Sequence, residues 1–278
     1  MIIIMIILIV TLIQLYLIYC LTFNMNFSNV ENYSKPSRVV VSLTSLPSRI
    51  NKIENVIKSI QNGTVKPDII YINIPKYSLR EKTEYIISDK IKNIPGVKLN
   101  FHNTDYGPVT KLFLTLEQEK DPNTAIICID DDTEYDPRLV EHLVSYSSFY
   151  PDKTICVKGW NYINLGFFAL PLFSLELNNK PHKVKILQCY KGVLYKRKFF
   201  DKDFEHYINC KKCFTVDDIL ISKYLTKKGI DIISVPYKHN NKQIDFGDDK
   251  FALSKTNITG NKWIKCINEN LDTCEKRY

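Results

Sequence analysis

Three consecutive aspartates, Asp130-Asp131-Asp132, follow directly on the apolar run Ala125-Ile-Ile-Cys-Ile129. The run reads as a buried strand, so the carboxylates stand at its carboxyl end, and extended geometry puts Asp130 and Asp132 on the same side. Acids packed this closely repel one another unless a cation sits between them. Oxygen donors alone suit Mg²⁺ or Mn²⁺, which makes Asp130 and Asp132 candidate metal ligands. The bland alternative, an acidic turn that caps the following helix, is weakened because Asp136-Pro137 already stands where that cap belongs. A second acidic pair, Asp217-Asp218, opens a later helical pattern. Thr215-x-x-Asp218 has the outline of a capping box, and acids in a first turn are favoured by the helix dipole, so a capping role and a chemical one both stand.

The elements that must position these acids alternate between short β-branched runs and helical periodicity. The pattern predicts strands over 38–44, 69–74, 97–102, 124–129 and 154–158, with helices over 49–60, 79–92, 109–119 and 136–148 between them. Four successive strand–helix units imply a mainly parallel sheet covered on both faces, since parallel strands need helical crossovers. Ligands of such sheets collect at the carboxyl ends of the strands, where the triple aspartate lies. Residues 160–213 are irregular and rich in aromatics, with strand-like pieces at 186–190 and 193–195; a helix over 216–228 and a strand over 230–235 resume the pattern, and 238–249 shows no clear element.

Further pieces recur at the other strand ends: Thr44-Ser-Leu-Pro-Ser-Arg49, Asp105-Tyr-Gly-Pro-Val-Thr-Lys111, Gly192-Val-Leu-Tyr195 followed by Phe199-Phe200, and Val216-Asp-Asp-Ile219. In this order and spacing, together with the D-x-D at the end of the fourth strand, residues 38–236 resemble the GT-A fold, family-2-like glycosyltransferases. The resemblance implies a Rossmann-like α/β domain over 31–278 that transfers a sugar from a nucleotide diphosphate donor, a UDP-sugar foremost, to a glycan or glycoconjugate acceptor. It places donor contacts at Thr44, Arg49, Asp105, Lys111, Asp130, Asp131 and Gly192, and a divalent ion on Asp130 and Asp132. It also implies an acceptor base at Asp218, with Asp217 beside it. His239 is a candidate third ligand or diphosphate contact. Each has a plainer reading: Arg49 and Lys111 as solvated helix residues, Gly192 as a bulge, Trp160 as a buried ring and not a sugar platform, His239 as an exposed histidine. Retention and inversion both remain open, with the base assignment favouring inversion.

The amino-terminal segment sets the context. No Asp, Glu, Lys or Arg precedes Glu31, and residues 2–23 are apolar apart from Thr11, Gln14, Thr22 and two tyrosines. Twenty-two helical residues at ~1.5 Å each reach about 33 Å, enough for a bilayer core of about 30 Å. The segment is longer than a signal-peptide core and no small-residue cleavage site follows, so residues 1–30 read as a membrane anchor and short stem. A single-pass protein with its catalytic domain in a lumen fits this, although the positive-inside rule leaves the orientation open, since Lys35 and Arg38 follow the segment. Cys210-Lys-Lys-Cys213 has no second ligand pair for zinc, and Cys266 and Cys274 are available to pair with it in an oxidising compartment.

Composition excludes several classes. Nine glycines leave neither a G-x-x-x-x-G-K-[ST] loop nor a G-x-G-x-x-G turn, against P-loop and classical dinucleotide enzymes. The net charge of +8 suits an anionic ligand but is spread along the chain, and nucleic acid is not expected. Two other functions fit strand-end acids: metal-dependent phosphoryl transfer or nuclease chemistry, and a non-catalytic glycan-binding relic. A phosphatase-type D-x-D-x-T/V pattern fails at Glu134, and the intact acids argue against a relic.

Overall fold

The computed structural model describes residues 36–164, 169–172, 180–238, 240–246, 253, 257 and 261–277; the apolar segment 2–23 and His239 lie outside them. Val39, Val40 and Val41 have no exposed surface at all, the mark of a strand covered on both faces. They begin β1 (Val39–Thr44), the first of eight strands in one sheet. The others are β2 (Ile69–Pro75), β3 (Val97–His102), β4 (Ala125–Cys128), β5 (Thr154–Cys156), β6 (His182–Val184), β7 (Val193–Lys196) and β8 (Ile232–Ser234), in spatial order β6-β8-β5-β7-β4-β1-β2-β3. β1 runs parallel to β2 with Val40 opposite Ile69, and parallel to β4 with Val39 opposite Ala125. Only β6 and β7 run against the rest.

Successive side chains of β1 go to opposite layers, as the strand period requires. Val39, Val41 and Leu43 join α1 (Glu54–Gln61) and α3 (Leu139–Phe149) through Ile57, Ile60, Leu139 and Leu143. Val40 joins the opposite layer, where α2 (Thr110–Gln118) and α4 (Asp217–Lys227) contribute Leu112, Leu116, Leu220 and Tyr224. The result is the α/β architecture with a mainly parallel sheet and helices on both faces that the pattern implied.

Three departures matter for the site. The helix expected over 79–92 is instead a short hairpin, Tyr77–Ser78 against Thr83–Glu84, and a single helical turn, Asp89–Lys92. The apolar residues there do not share a face: Ile91 is fully buried, Ile86 is 85% exposed, and Lys82 takes φ +55°, which no helix tolerates. β7 inserts antiparallel between β4 and β5, pairing Leu194 with Ile127 and with Ile155, which breaks the parallel run. The tail read as featureless contains a strand, Lys242–Gln243, that pairs with Thr133–Glu134 just after the triple aspartate. Among the described residues no helix is long and apolar enough to cross a membrane. Cys213 of the C-x-x-C pair is joined to Cys266 by a disulfide, which fastens the helix Lys262–Asn268 to the segment leading into α4.

Candidate active site

A cleft of about 880 Å³ opens at the carboxyl ends of the strands; Thr44, Pro75 and Asp130 line it where β1, β2 and β4 end or have just ended. Asp131, Asp132, Asp217, Asp218, Arg49 and Lys111 line it too. Acids from the end of β4 and from the start of α4 therefore face one volume.

Lys111 joins the two groups. Its ammonium lies 2.5 Å from Asp130 Oδ1 and 3.3 Å from Asp217 Oδ2, and only 6% of its side chain is exposed. Burial opposes the charge, but Asp130 and Asp217 outweigh it and hold the Lys111 pKa well above the ordinary value. The backbone under Lys111 is held by a buried polar network. Ser42 Oγ donates to the Lys111 carbonyl, Asn73 Nδ2 donates to the same carbonyl at 3.0 Å, and Asn73 also reaches Thr115 Oγ1 at 3.0 Å. Asn100 Nδ2 in turn donates to Asn73 Oδ1 at 2.9 Å. Polar residues inside three adjacent strands thus fix the first turn of α2, and with it the direction of the ammonium. The reading of Lys111 as a surface lysine is corrected here: it is buried, lines the cleft and pairs with the acids.

The three aspartates have separate partners. Asp131 accepts from Ser45 Oγ at 2.5 Å and pairs with Arg49 at 3.1 Å, and burial pushes its pKa up against the opposing pull of Arg49. Asp132 lies 3.6 Å from Arg49 and keeps 26% of its side chain exposed; burial, then the nearby charge of Asp130, raise its pKa. Asp130 keeps 30% of its side chain exposed. Asp130 and Asp132 thus combine hard oxygen donors, access to the cleft and mutual repulsion, all of which fit a divalent cation. Arg49 is not a solvated helix residue: its guanidinium sits 4.9 Å from the Phe246 ring centre as well as on the acids. A second group, Cys189, Asp217 and Asp218, brings three potential ligand atoms within 4.8 Å of one another. Burial pushes the Cys189 thiol well up, and sulfur is a softer donor than the oxygens that Mg²⁺ or Mn²⁺ favours.

Asp217 and Asp218 do not form the capping box that their position suggested. Thr215 Oγ1 donates to Asn257 Oδ1 at 2.9 Å, away from the helix, and α4 has no side-chain cap. Asp218 Oδ1 accepts the Cys189 backbone N–H at 3.0 Å, across from another segment. Burial, followed by the charge of Asp217, raises the Asp218 pKa to about 7. It is half-buried and lines the cleft, so it is a carboxyl group able to take a proton near neutrality.

The remaining expected contacts divide. Thr44 lines the cleft and its hydroxyl donates to the Asn73 carbonyl at 2.8 Å. Asp105 lines it as well, with its oxygens on the backbone N–H groups of Gly107 (2.7 Å) and Leu79 (2.8 Å), so it builds the wall. Gly107 takes φ +69°, and a Cβ there would come within 2.9 Å of Phe214, which packs the turn against the approach to α4. Gly192 is not among the cleft-lining residues; its φ is +102° and a Cβ would meet Leu139 at 3.0 Å, so the glycine serves a tight turn packed on α3. Sequence reasoning missed Arg80, Tyr85 and Trp263, all in the cleft wall. Arg80 and Tyr85 were hidden by the helical reading of 79–92, and no local signal brings Trp263, on the carboxyl-terminal helix, to within 6.0 Å of Trp160.

This is the GT-A type of glycosyltransferase fold. The chain is similar to the crystal structure of GalNAc-T7 with UDP, GalNAc and Mn²⁺, at 12% identity and a TM-score of 0.52, over 76% of this chain and 44% of that one. At that identity the likeness concerns the fold, and this chain matches less than half of that protein's length. No protein-family model matches the sequence, and no curated protein matches it.

Proposed function

We propose that the protein is a metal-dependent glycosyltransferase that moves a sugar from a nucleotide diphosphate donor, a UDP-sugar foremost, to the hydroxyl of a glycan or glycoconjugate. The observation that carries this reading is one cleft in which cation-ready acids at the end of β4 face a carboxyl of pKa about 7 at the start of α4. The protein solved with UDP and Mn²⁺ shares the fold, which favours a nucleotide-sugar donor and a divalent ion. Asp130 and Asp132 would hold the ion, which supplies charge neutralisation for the departing diphosphate. Arg49 and Lys111 keep the acids in place. The half-buried rings of Trp160 and Trp263 offer an apolar face to the acceptor sugar. Asp218 takes the proton of the acceptor hydroxyl as its oxygen attacks the anomeric carbon and the bond to the diphosphate breaks, an inverting displacement.

Asp132→Asn tests the metal reading. It keeps the shape and removes a charge and a hard ligand, so calorimetric titration of UDP in Mn²⁺ should show affinity at least about tenfold weaker, with melting temperature little changed. Unchanged affinity would make the triple aspartate structural. Turnover across a panel of nucleotide sugars with Mn²⁺ identifies the donor.

We further propose that residues 2–23 anchor the protein in a membrane with the catalytic domain in a lumen, a setting in which the Cys213–Cys266 disulfide persists. The core begins at Val39, whose N–H donates to Asp68 Oδ2 at 2.7 Å. Deletion of residues 1–30 should accordingly leave a monodisperse domain that unfolds in one cooperative thermal transition; aggregation of that domain, with the full chain active in detergent, would refute the boundary.

A further inference from the structure

The carboxyl-terminal segment is laid against the approach to α4. Cys210 and Lys276 form an antiparallel bridge, flanked by Lys211 N–H to the Glu275 carbonyl and Arg277 N–H to the Asn209 carbonyl, both at 2.9 Å. Three residues after Cys210 and eight before Cys274, the disulfide Cys213–Cys266 joins the same two segments. Cys210 and Cys274 are both buried free thiols, one on each of the two segments that the bridge and the disulfide join. Two buried thiols on backbones already held together by hydrogen bonds and a disulfide are placed where a second bridge can close.

We propose that Cys210 and Cys274 form a second disulfide, so that the carboxyl-terminal strap is held by two nested bridges. The chemistry is thiol–disulfide exchange with a small-molecule disulfide of the oxidised glutathione class. The Lys276 ammonium lies 3.2 Å from Cys274 Sγ, the sulfur whose thiolate attacks first in this scheme. Cys274 keeps 5% of its surface exposed where Cys210 keeps none, and its neighbours Thr273 and Glu275 are exposed, so it is the thiol of the two that the reagent reaches first. The thiolate attacks one sulfur of the reagent and expels the first thiolate. Cys210 then loses its proton, attacks the Cys274 sulfur of the mixed disulfide and expels the second. Two protein thiols are oxidised, and one disulfide is reduced to two thiols.

The bridge has a consequence for the cleft. Arg277 places its guanidinium 3.3 Å from the centre of the Phe214 ring, and Phe214 packs on Gly107 three residues before Asp217. With both bridges closed, the strap cannot leave the segment that carries Asp217 and Asp218. With only Cys213–Cys266 closed, residues beyond Cys266 can peel away.

The test uses the full chain in detergent, equilibrated with oxidised glutathione, then alkylated under denaturing conditions and mapped by mass spectrometry. The sequence has eight cysteines. Two disulfides leave four alkylated cysteines, with a linked peptide pair containing Cys210 and Cys274. Cys210→Ser and Cys274→Ser should each leave five. Six alkylated cysteines in the wild type, including Cys210 and Cys274, would overturn the proposal, as would Cys210 or Cys274 linked to any other cysteine or left carrying glutathione. This readout does not depend on the proposed reaction, so failure of one leaves the other intact.

Discussion

Asp218→Asn is expected to lower kcat for sugar transfer by about 10²-fold or more, with the donor KM little changed, because the lost group acts on the proton of the acceptor in the transition state. Stability should move the other way from that of a lost cap. An unfolded Asp ionises near 4, whereas the folded Asp218 does so at about 7, chiefly through burial. The folded chain binds the proton more tightly between these values. This group's contribution to stability is therefore full below about pH 4 and lost as the pH rises through about 7. At pH 8 the wild type carries a poorly solvated charge that Asn avoids, and the amide oxygen still accepts the Cys189 N–H. The variant should thus unfold at the same temperature as the wild type or higher at pH 8, whereas removal of a capping residue would cost about 1 kcal/mol. The wild-type kcat/KM should rise with pH through an apparent pKa of about 7. Asp217→Asn, which alters the same helix end, is expected to retain more activity. A fully active Asp218→Asn enzyme would end the base assignment; loss of transfer in Asp217→Asn alone would move the role one residue earlier.

The largest effect on folding is expected from Lys111→Met. The substitution preserves length and removes the cation that sits between Asp130 and Asp217 inside the protein. A buried charge left without its partner costs on the order of 3–5 kcal/mol, far more than the loss of a surface ion pair. Urea denaturation at pH 8 should show the midpoint falling accordingly with an unchanged slope. A midpoint equal to that of the wild type would mean that Lys111 does not hold the two acidic groups together.

Much of the scaffold could be read from pattern alone. The apolar runs at 39–44, 69–75, 97–102 and 125–128 are strands because β-branched residues bounded by breakers have few other places to go, and the run ending at Ile129 delivered the triple aspartate to a strand's carboxyl end. Helices starting at Thr110 and Asp217 were legible from their periodicity. The stretch 79–92 was not, because its apolar spacing resembles a helix while its burial follows a hairpin, and burial is not a local property. Arg80 and Tyr85 were lost with it.

What the sequence by itself determined is the alternation of elements, the edge of the sheet at which polar groups collect, and the residue types available there. All three follow from short-range periodicity and from the chemistry of carboxylates. The partners of those groups were decided only by tertiary structure. That Lys111 turns inward to Asp130 and Asp217 depends on Ser42 and Asn73 from two strands, which hold its carbonyl. That Asp218 faces Cys189 and titrates near neutrality depends on segments that meet only after β7 has inserted between β4 and β5. Desolvation and charge pairing act through space, at separations of 29 residues for Asp218 and Cys189 and 19 for Lys111 and Asp130. No pattern of neighbouring residues encodes them.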